Sequence, residues 1–596
     1  MKSSLSSLFS TLRYCVALSW RSSKWYTLVR LLGKIITPAG GILSAFLLKR
    51  ILDLLSGVTH GAADPTAELL LLIGGTVALS LLTAAVRKLV EYSEGMHNDI
   101  LDRYITMDMM EKALSADLEL FDNPKYYDKL TSVQRDSYAI TYILWNALDC
   151  LSSLITFIGS FAVLCGTNVL YGLLMVLAAF PSAIARQRYT KALYQLGLDQ
   201  VNGERQKNYL YYVASDKIYA QDVRLFGLGD QLRDRYHHLW RDIFTHKKKM
   251  VKSRTWLTGT LEFLPELVIG VITLDISFKV LCGGATIGDY SLYTGLLSQL
   301  WSAIMLLTNS VMQIYDNKLK IDNVKSFDQV PHRISSRAGG RELRQVGEIA
   351  FEHVGFSYPG TERRALEDVS FCIRPGEKVA LVGVNGAGKT TLIKLLLRFY
   401  DVGSGCIRIN GVDIRTYDVD SLRSCFGCYF QNTPNYGFTL RENVALGEAR
   451  QDEGRILEAL GESDAEGVLR QAPQGLDTYL TRMFDENGME LSGGQNQKIA
   501  LARTFYRDRS GVILDEPSSS LDPEAEHRVF EAMERHCRGK TTLFTSHRLS
   551  NLSMADRIVV IENGRIVEQG SRDELLSNPR RFAELYQYQA EKFAVK

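Results

Sequence analysis

Between Cys150 and Ala185 the chain runs without one Asp, Glu, Lys or Arg. A soluble protein rarely strings so many uncharged residues together, whereas a helical bilayer crossing needs about 20 of them. The run is too long for one crossing and fits two, folded at Gly166-Thr167-Asn168. This stretch forces the first half of the chain into a membrane and constrains everything around it. The third crossing starts near Tyr138, which places Asp149 within it. Extending the same reading gives six crossings, at about 26–55, 69–92, 138–165, 168–187, 255–281 and 291–315.

Loop charge orients them. Met1 to Lys24 carries Lys2, Arg13, Arg21 and Lys24 and no acid, so the N-terminus is expected in the cytosol. Leu5 to Trp20 is mildly amphipathic and suits the membrane–water interface beside lipid headgroups. Gly57 to Thr66 lacks Lys and Arg and is expected outside. Basic residues return from Arg87 to Arg135 in a helical pattern, Arg186 to Arg254 is again basic and helical, and both stretches are expected to project into the cytosol. An even number of crossings returns the C-terminus to the cytosol, so the expected location is the cell membrane. No cleavable signal peptide is evident in Met1 to Lys24.

The fifth crossing is the least apolar, because Glu262, Glu266 and Asp275 interrupt it. Glu262 and Glu266 stand at i and i+4, hence on one helix face, with Pro265 beside them as an expected kink. Carboxylates in hydrocarbon are costly, and two readings follow. They line a pathway that favours cationic or polar cargo, or they pair internally with residues such as Arg30 or Lys34.

Composition changes past the last crossing. Net charge over the 596 residues is +2, which gives no bulk case for nucleic acid as a partner. The nine cysteines form no paired framework and suit a reducing cytosol. Cys425 and Cys428 make a lone C-x-x-C, read as two small strand residues rather than a zinc or redox site. A transmembrane domain over 1–330 and a soluble domain over 345–596 are expected, the latter with strands and helices alternating in an α/β layer architecture.

The soluble half carries its chemistry in Gly383-Val384-Asn385-Gly386-Ala387-Gly388-Lys389-Thr390, which fits G-x-x-x-x-G-K-[ST]. An apolar strand, Lys378 to Val382, precedes it, and a helical pattern from Thr391 to Leu397 follows. Glycines let successive N–H groups point at phosphate oxygens, and the helix N-terminus adds partial positive charge. Lys389 then neutralises the terminal phosphates of ATP, and the Thr390 hydroxyl ligates Mg²⁺. Further on, the apolar strand Val512-Ile513-Leu514 ends in Asp515-Glu516. That places Asp515 in the Mg²⁺ shell and Glu516 where it polarises the attacking water.

Leu491-Ser492-Gly493-Gly494-Gln495 is identical to the signature sequence of ATP-binding cassette (ABC) proteins. Gln431, after Cys428-Tyr429-Phe430, resembles the family's Q-loop glutamine. Ser520-Leu521-Asp522 looks like the D-loop, His547 in Thr545-Ser546-His547-Arg548 like the switch histidine, and Tyr358 in Phe356-Ser357-Tyr358-Pro359 like the aromatic that stacks on adenine. With six crossings ahead of the cassette, nearly the whole chain resembles an ABC exporter half-transporter. The implied fold is an all-α six-helix exporter domain followed by a P-loop NTPase domain.

The resemblance implies a dimer with ATP sandwiched between two cassettes. The signature Ser492, Gly493, Gly494 and Gln495, with Asp522, would complete the site of the facing subunit. In the chain's own site the binding residues would be Tyr358, Gly383, Asn385, Gly386, Gly388, Lys389, Thr390 and Thr391. Gln431 would sense Mg²⁺ and water, and His547 the γ-phosphate. Phe121 to Asp128 and Asp216 to Gly227 look like the two segments that couple exporter helices to cassettes. Every hydrolytic residue is intact, which favours a homodimer, with a heterodimer as the alternative.

The cargo is less legible. Gln497 to Phe505 and Pro517-Ser518-Ser519 resemble bacterial lantibiotic and related peptide exporters, whereas many drug and lipid exporters have Arg where Lys498 stands and Thr where Ser518 stands. A peptide exporter is the expected function, with a multidrug or lipid exporter as the alternative. No protease domain is expected ahead of the first crossing. A soluble cassette ATPase is the reading from another class, and the run from Cys150 to Ala185 argues against it.

Overall fold

The computed structural model describes residues 2–57, 65–122, 138–327, 334, 340–431, 433–517, 523–546, 549–578 and 580–593. The chain forms two compact units. One comprises 1–114 and 128–330, the other 115–127 and 331–596.

The first unit is helical. Its long elements are Lys24–Leu55, Pro65–Ser115, Tyr138–Thr167, Val169–Asp199, Gly229–Leu281 and Ile287–Phe327, preceded by Lys2–Ser22. At 1.5 Å per residue, the 53-residue Gly229–Leu281 is about twice as long as a bilayer is thick, so the expected fifth crossing and part of the basic stretch before it form one helix. The run from Cys150 to Ala185 breaks where its turn signal stands: one helix ends at Thr167 and the next starts at Val169. Among the described residues, five helices are long and apolar enough to cross a membrane: Lys24–Leu55, Thr66–Ser115, Tyr138–Gly166, Val169–Gly197 and Ile287–Tyr315. The stretch 255–281 is not among them, because its acids lower its hydropathy. It is nevertheless packed with the crossing helices: its Ile272 and Ile276 share a buried cluster with Leu164, Met175, Leu296 and Leu300. The helix runs unbroken through Pro265.

Three of the four acids expected within the membrane are neutralised by bases, two of them far away in the sequence and one a single helix turn away. Asp149 pairs with Lys34, and Glu262 pairs with Arg186 rather than with Arg30 or Lys34. Arg186 also donates to Asn309 Oδ1 at 2.6 Å. Asp275 accepts from Lys279 at 2.6 Å and from the Tyr171 hydroxyl. Arg30 is committed elsewhere, buried over the Trp145 ring and 3.2 Å from Glu94. Apart from Lys279, one turn from Asp275, these partners are chosen by helix packing, which brings together residues far apart in the chain. Glu266 is exposed and has no hydrogen bond or ion pair among the described residues.

The second unit holds two sheets. Its strands are β1 (Ile349–Ser357), β2 (Arg364–Ile373), β3 (Lys378–Val382), β4 (Ser404–Ile409), β5 (Val412–Asp413), β6 (Phe426–Tyr429), β7 (Gly511–Asp515), β8 (Thr541–Thr545), β9 (Arg557–Glu562) and β10 (Arg565–Gly570). The order β2-β1-β4-β5 forms an antiparallel sheet, and β10-β9-β3-β8-β7-β6 a second one, parallel except at β10. The central strands β3, β7 and β8 are buried on both faces, which is why they read as continuous apolar runs. Within the C-x-x-C, Cys425 donates to the Leu343 carbonyl at 3.0 Å, and burial pushes the Cys428 thiol up to about 12.

Helix Gly493–Arg507 packs its Ile499, Leu501 and Phe505 into the core beside β7. His536, at the end of helix Pro523–His536, lies against the Phe505 ring, 4.6 Å between centroids, and 3.0 Å from Lys540 Nζ. Burial, reinforced by the Lys540 charge, lowers its pKa to about 4. The folded state therefore binds fewer protons than the unfolded one between about pH 4 and 6.5, and stability rises with pH there. The contribution is complete above pH 6.5 and is lost as pH falls toward 4. Lowering pH from 7.5 to 5 is expected to remove about 2 kcal/mol through this group, on the order of 4 °C in apparent Tm. His536→Gln should remove that part of the pH dependence, read from thermal unfolding of the purified full-length chain at the two pH values. An unchanged slope would sink the assignment.

Candidate nucleotide site

The parallel sheet places the site. Strand β8 lies between β3 and β7, so the C-terminal ends of β3 and β7 open onto one crevice, where ligands of parallel α/β sheets bind. The loop Gly383 to Gly388 leaves β3 and enters helix Lys389–Leu396. Gly388 has φ 110°, and a Cβ there would lie 2.7 Å from Leu366 and 2.9 Å from the Ala365 carbonyl. Only glycine fits. At Gly383 a Cβ would meet the Ile561 carbonyl at 2.3 Å, so the loop is held close against the neighbouring strand β9.

A cavity of about 560 Å³ opens over this loop. Asn385, Gly386, Gly388, Lys389, Thr390 and Thr391 line it, together with Tyr358, Gln431 and Glu516. That volume suits a nucleotide. Lys389 is buried, and its Nζ donates to the carbonyls of Gly383 at 2.7 Å and Val384 at 3.2 Å. Burial lowers its pKa, opposed by the charges of Glu516 and Asp515. The Tyr358 hydroxyl is 3.1 Å from Thr391 Oγ1, which ties the ring to the first turn of the phosphate-loop helix.

The acids are held in a hydrogen-bonded set. Thr390 Oγ1 donates to Asp515 Oδ2 at 3.0 Å, and Thr545 Oγ1, at the end of β8, donates to Asp515 Oδ1 at 2.7 Å. The same threonine oxygen accepts the Glu516 N–H at 2.9 Å. Glu516 adopts φ 51°, a left-handed conformation unusual for this residue. Its Oε2 accepts from Gln431 Nε2 at 2.8 Å. Thr390, Asp515 and Gln431 thus gather a hydroxyl, a carboxylate and an amide beside the phosphate loop. Magnesium bound through one carboxylate, a hydroxyl and substrate phosphates takes this kind of oxygen set. No group of three His, Cys, Asp or Glu suited to a metal occurs among the described residues.

Ser492, Gly493, Gly494 and Gln495 do not line the cavity among the described residues. They form the N-terminus of helix Gly493–Arg507, where Ser492 Oγ accepts the Gln495 N–H and the Gln495 side chain accepts the Ser492 N–H. Lys498, in the same helix, pairs with Asp464 at 2.6 Å. Asp522 and His547 lie outside the described residues, as do most of Phe121 to Asp128 and Ser518 to Leu521. Arg363, Arg364, Asn563 and Gly564 also line the cavity, although no motif marks them. The one signal was the turn Asn563-Gly564 between β9 and β10, with both residues at positive φ.

Sequence models of the two parts of one family match the two halves of the chain: the ABC transporter transmembrane region over residues 27–304, and the ABC transporter over 366–519. The chain belongs to the ABC transporter family. It is similar to the subtilin transport ATP-binding protein SpaT of Bacillus subtilis, 29% identical over 503 residues, covering 84% of this chain and 82% of that protein. It is also similar to the ATP-dependent lipid A-core flippase of Burkholderia orbicola, 33% identical over 401 residues, 66% of each chain. Its fold matches a bacterial Atm1-family ABC exporter solved with ATP bound, with a TM-score of 0.78, 24% identity, and coverage of 97% of this chain and 98% of that one. This ABC exporter is therefore a membrane protein whose cassette binds ATP and couples its hydrolysis to transport, and half-transporters of this kind generally act as dimers.

Proposed function

We propose that the chain is one half of a homodimeric ATP-driven peptide exporter of the cell membrane, with both termini in the cytosol. The observation that carries the cargo class is a polar stripe along the fifth crossing. Positions 255, 259, 262, 266, 270, 273 and 277 recur at helical spacing and read Thr, Gly, Glu, Glu, Gly, Thr and Ser. None is buried within the chain, while Thr258, Pro265, Ile272 and Ile276 on another face are. A carboxylate such as Glu266 is too costly against lipid, so the stripe faces a water-filled path or the second subunit. Glu262 is satisfied by Arg186, which leaves Glu266 to receive a cationic group of the cargo. The likeness to a subtilin transporter over most of the chain supports a peptide.

In the cassette, Tyr358 carries the adenine. Gly383, Asn385, Gly386, Gly388, Lys389, Thr390 and Thr391 hold the phosphates, and Thr390, Asp515 and Gln431 hold Mg²⁺, which supplies charge to the phosphate oxygens. Glu516 polarises water and His547 meets the γ-phosphate. The signature residues Ser492 to Gln495, with Asp522, serve the facing subunit. That reading is supported by the absence of Ser492 to Gln495 from their own chain's cavity lining.

The test is ATPase activity of the purified chain in lipid vesicles against cationic peptides, drugs and lipids. Cationic peptides are expected to stimulate turnover at least twofold, with the stimulation lost in Glu266→Gln. A response to drugs or lipids alone would overturn the peptide reading in favour of a flippase or drug exporter, which the lipid A-core flippase similarity supports. No turnover from folded protein would show that a different second subunit is required.

A further inference from the structure

Residues 115–127 belong to the second unit, although in sequence they lie between two helices of the first. The short helix Leu118–Phe121 starts at Asp117, which is buried and whose carboxylate accepts the Ile334 N–H at 3.2 and 3.3 Å. Just past that helix, Asp122 accepts a hydrogen bond from the Tyr400 hydroxyl. Tyr400 is 1% exposed and follows the phosphate-loop helix by a few residues. Its ring stands edge-on to Tyr358, 5.5 Å between centroids at 83°. Lys394, on the phosphate-loop helix, lies 5.5 Å from the Tyr358 ring centroid and 5.8 Å from that of Tyr400. Burial raises the Tyr400 phenol pKa, and the Asp122 carboxylate raises it further, so the hydroxyl stays a donor.

The arrangement is more specific than core packing. A tyrosine buried only for its apolar ring needs some polar acceptor for its hydroxyl, and water or a backbone carbonyl of the cassette would serve. Here the acceptor is a carboxylate from the one stretch of the unit that belongs in sequence to the helical half. The same ring stands edge-on to Tyr358, which lines the nucleotide cavity. Any reorientation of Tyr358 when adenine stacks on it must be accommodated by Lys394 and Tyr400, and through Tyr400 by Asp122.

We propose that Tyr400 is a positioning residue that links nucleotide occupancy at Tyr358 to the docking of 117–122. The proposal rests on the reading of Tyr358 as the adenine platform. ATP then tightens this segment, and the segment steadies the platform, because coupling between two sites is reciprocal.

The test is amide hydrogen exchange of the full-length Glu516→Gln protein in lipid nanodiscs, with and without Mg-ATP. Saturating Mg-ATP is expected to slow exchange at 117–122 at least fivefold. Adding Tyr400→Phe should abolish the ATP-dependent part while ATP affinity stays within threefold. Asp122→Asn, which keeps an acceptor, should retain it, and Asp122→Ala should lose it. A merely structural Tyr400 would raise exchange equally with and without ATP, and that result overturns the proposal, as does exchange at 117–122 that ignores ATP in the parent. Tyr358→Ala separates the premise: it should weaken ATP binding at least tenfold, and unchanged affinity there would overturn the adenine reading itself.

Discussion

Replacing Glu516 by Gln is expected to lower ATP turnover at least 100-fold while ATP affinity stays within about threefold, since a positioned base contributes about 10²–10⁴ in rate. A 100-fold loss is about 2.7 kcal/mol of transition-state stabilisation. The specificity of the effect follows from the geometry. Glu516 is held by its backbone, whose N–H donates to Thr545, and that bond survives the substitution. Its positive φ is no harder for Gln than for Glu. The side-chain amide can still present its oxygen to Gln431, so the cavity wall keeps its shape. What disappears is the negative charge that draws a proton from water. Single-turnover hydrolysis of radiolabelled ATP, run beside equilibrium ATP binding, separates the two effects. Turnover within threefold of the parent would remove Glu516 from its role.

How far the sequence leads depends on whether a feature is local. The phosphate loop was legible because strand, glycines, lysine and helix are consecutive, although its close packing against Ile561, Ala365 and Leu366 comes from distant parts of the chain. The same holds for the break between Thr167 and Val169, where one turn signal interrupts an apolar run. Asp515 and Glu516 were legible as the polar end of an apolar strand. Their setting was not, because Thr545 and Gln431 arrive on other strands, and only the order β3-β8-β7-β6 brings them together. Arg363 and Arg364 reach the cavity from the start of β2, which no motif marks. The intramembrane acids show the limit most plainly. Cost in hydrocarbon demanded partners, and three of the four acids have them, yet Arg186 and Glu262 are 76 residues apart and meet only through helix packing. The expected fifth crossing, 255–281, is less apolar than the five helices suited to crossing because of Glu262, Glu266 and Asp275, the residues that give it interest.

Lys389→Ala is expected to weaken ATP binding at least 30-fold while leaving AMP binding nearly unchanged. The lysine ammonium is the cationic side chain nearest the phosphate loop's own carbonyls, and a hydrogen bond to a charged group contributes about 1.5–3 kcal/mol. On the proposed reading of Tyr358 as the adenine platform, adenine and ribose are recognised away from Lys389, so a ligand lacking the β- and γ-phosphates should lose little. The contrast also controls for damage to the fold. Alanine leaves the Gly383 and Val384 carbonyls without the Nζ donor, at a cost of about 1–3 kcal/mol in stability. A loop collapsed by that loss would bind AMP poorly as well. Burial has already lowered the Lys389 pKa, against the pull of Glu516 and Asp515, so the site holds its cation at some electrostatic cost until phosphate arrives. Phosphate oxygens repay that cost and the carboxylates alone do not, which is why the triphosphate and not the nucleoside should feel the mutation. Titration calorimetry with ATP and AMP on the parent and the variant measures both affinities. Equal losses for the two nucleotides would assign Lys389 to holding the loop rather than to binding phosphate.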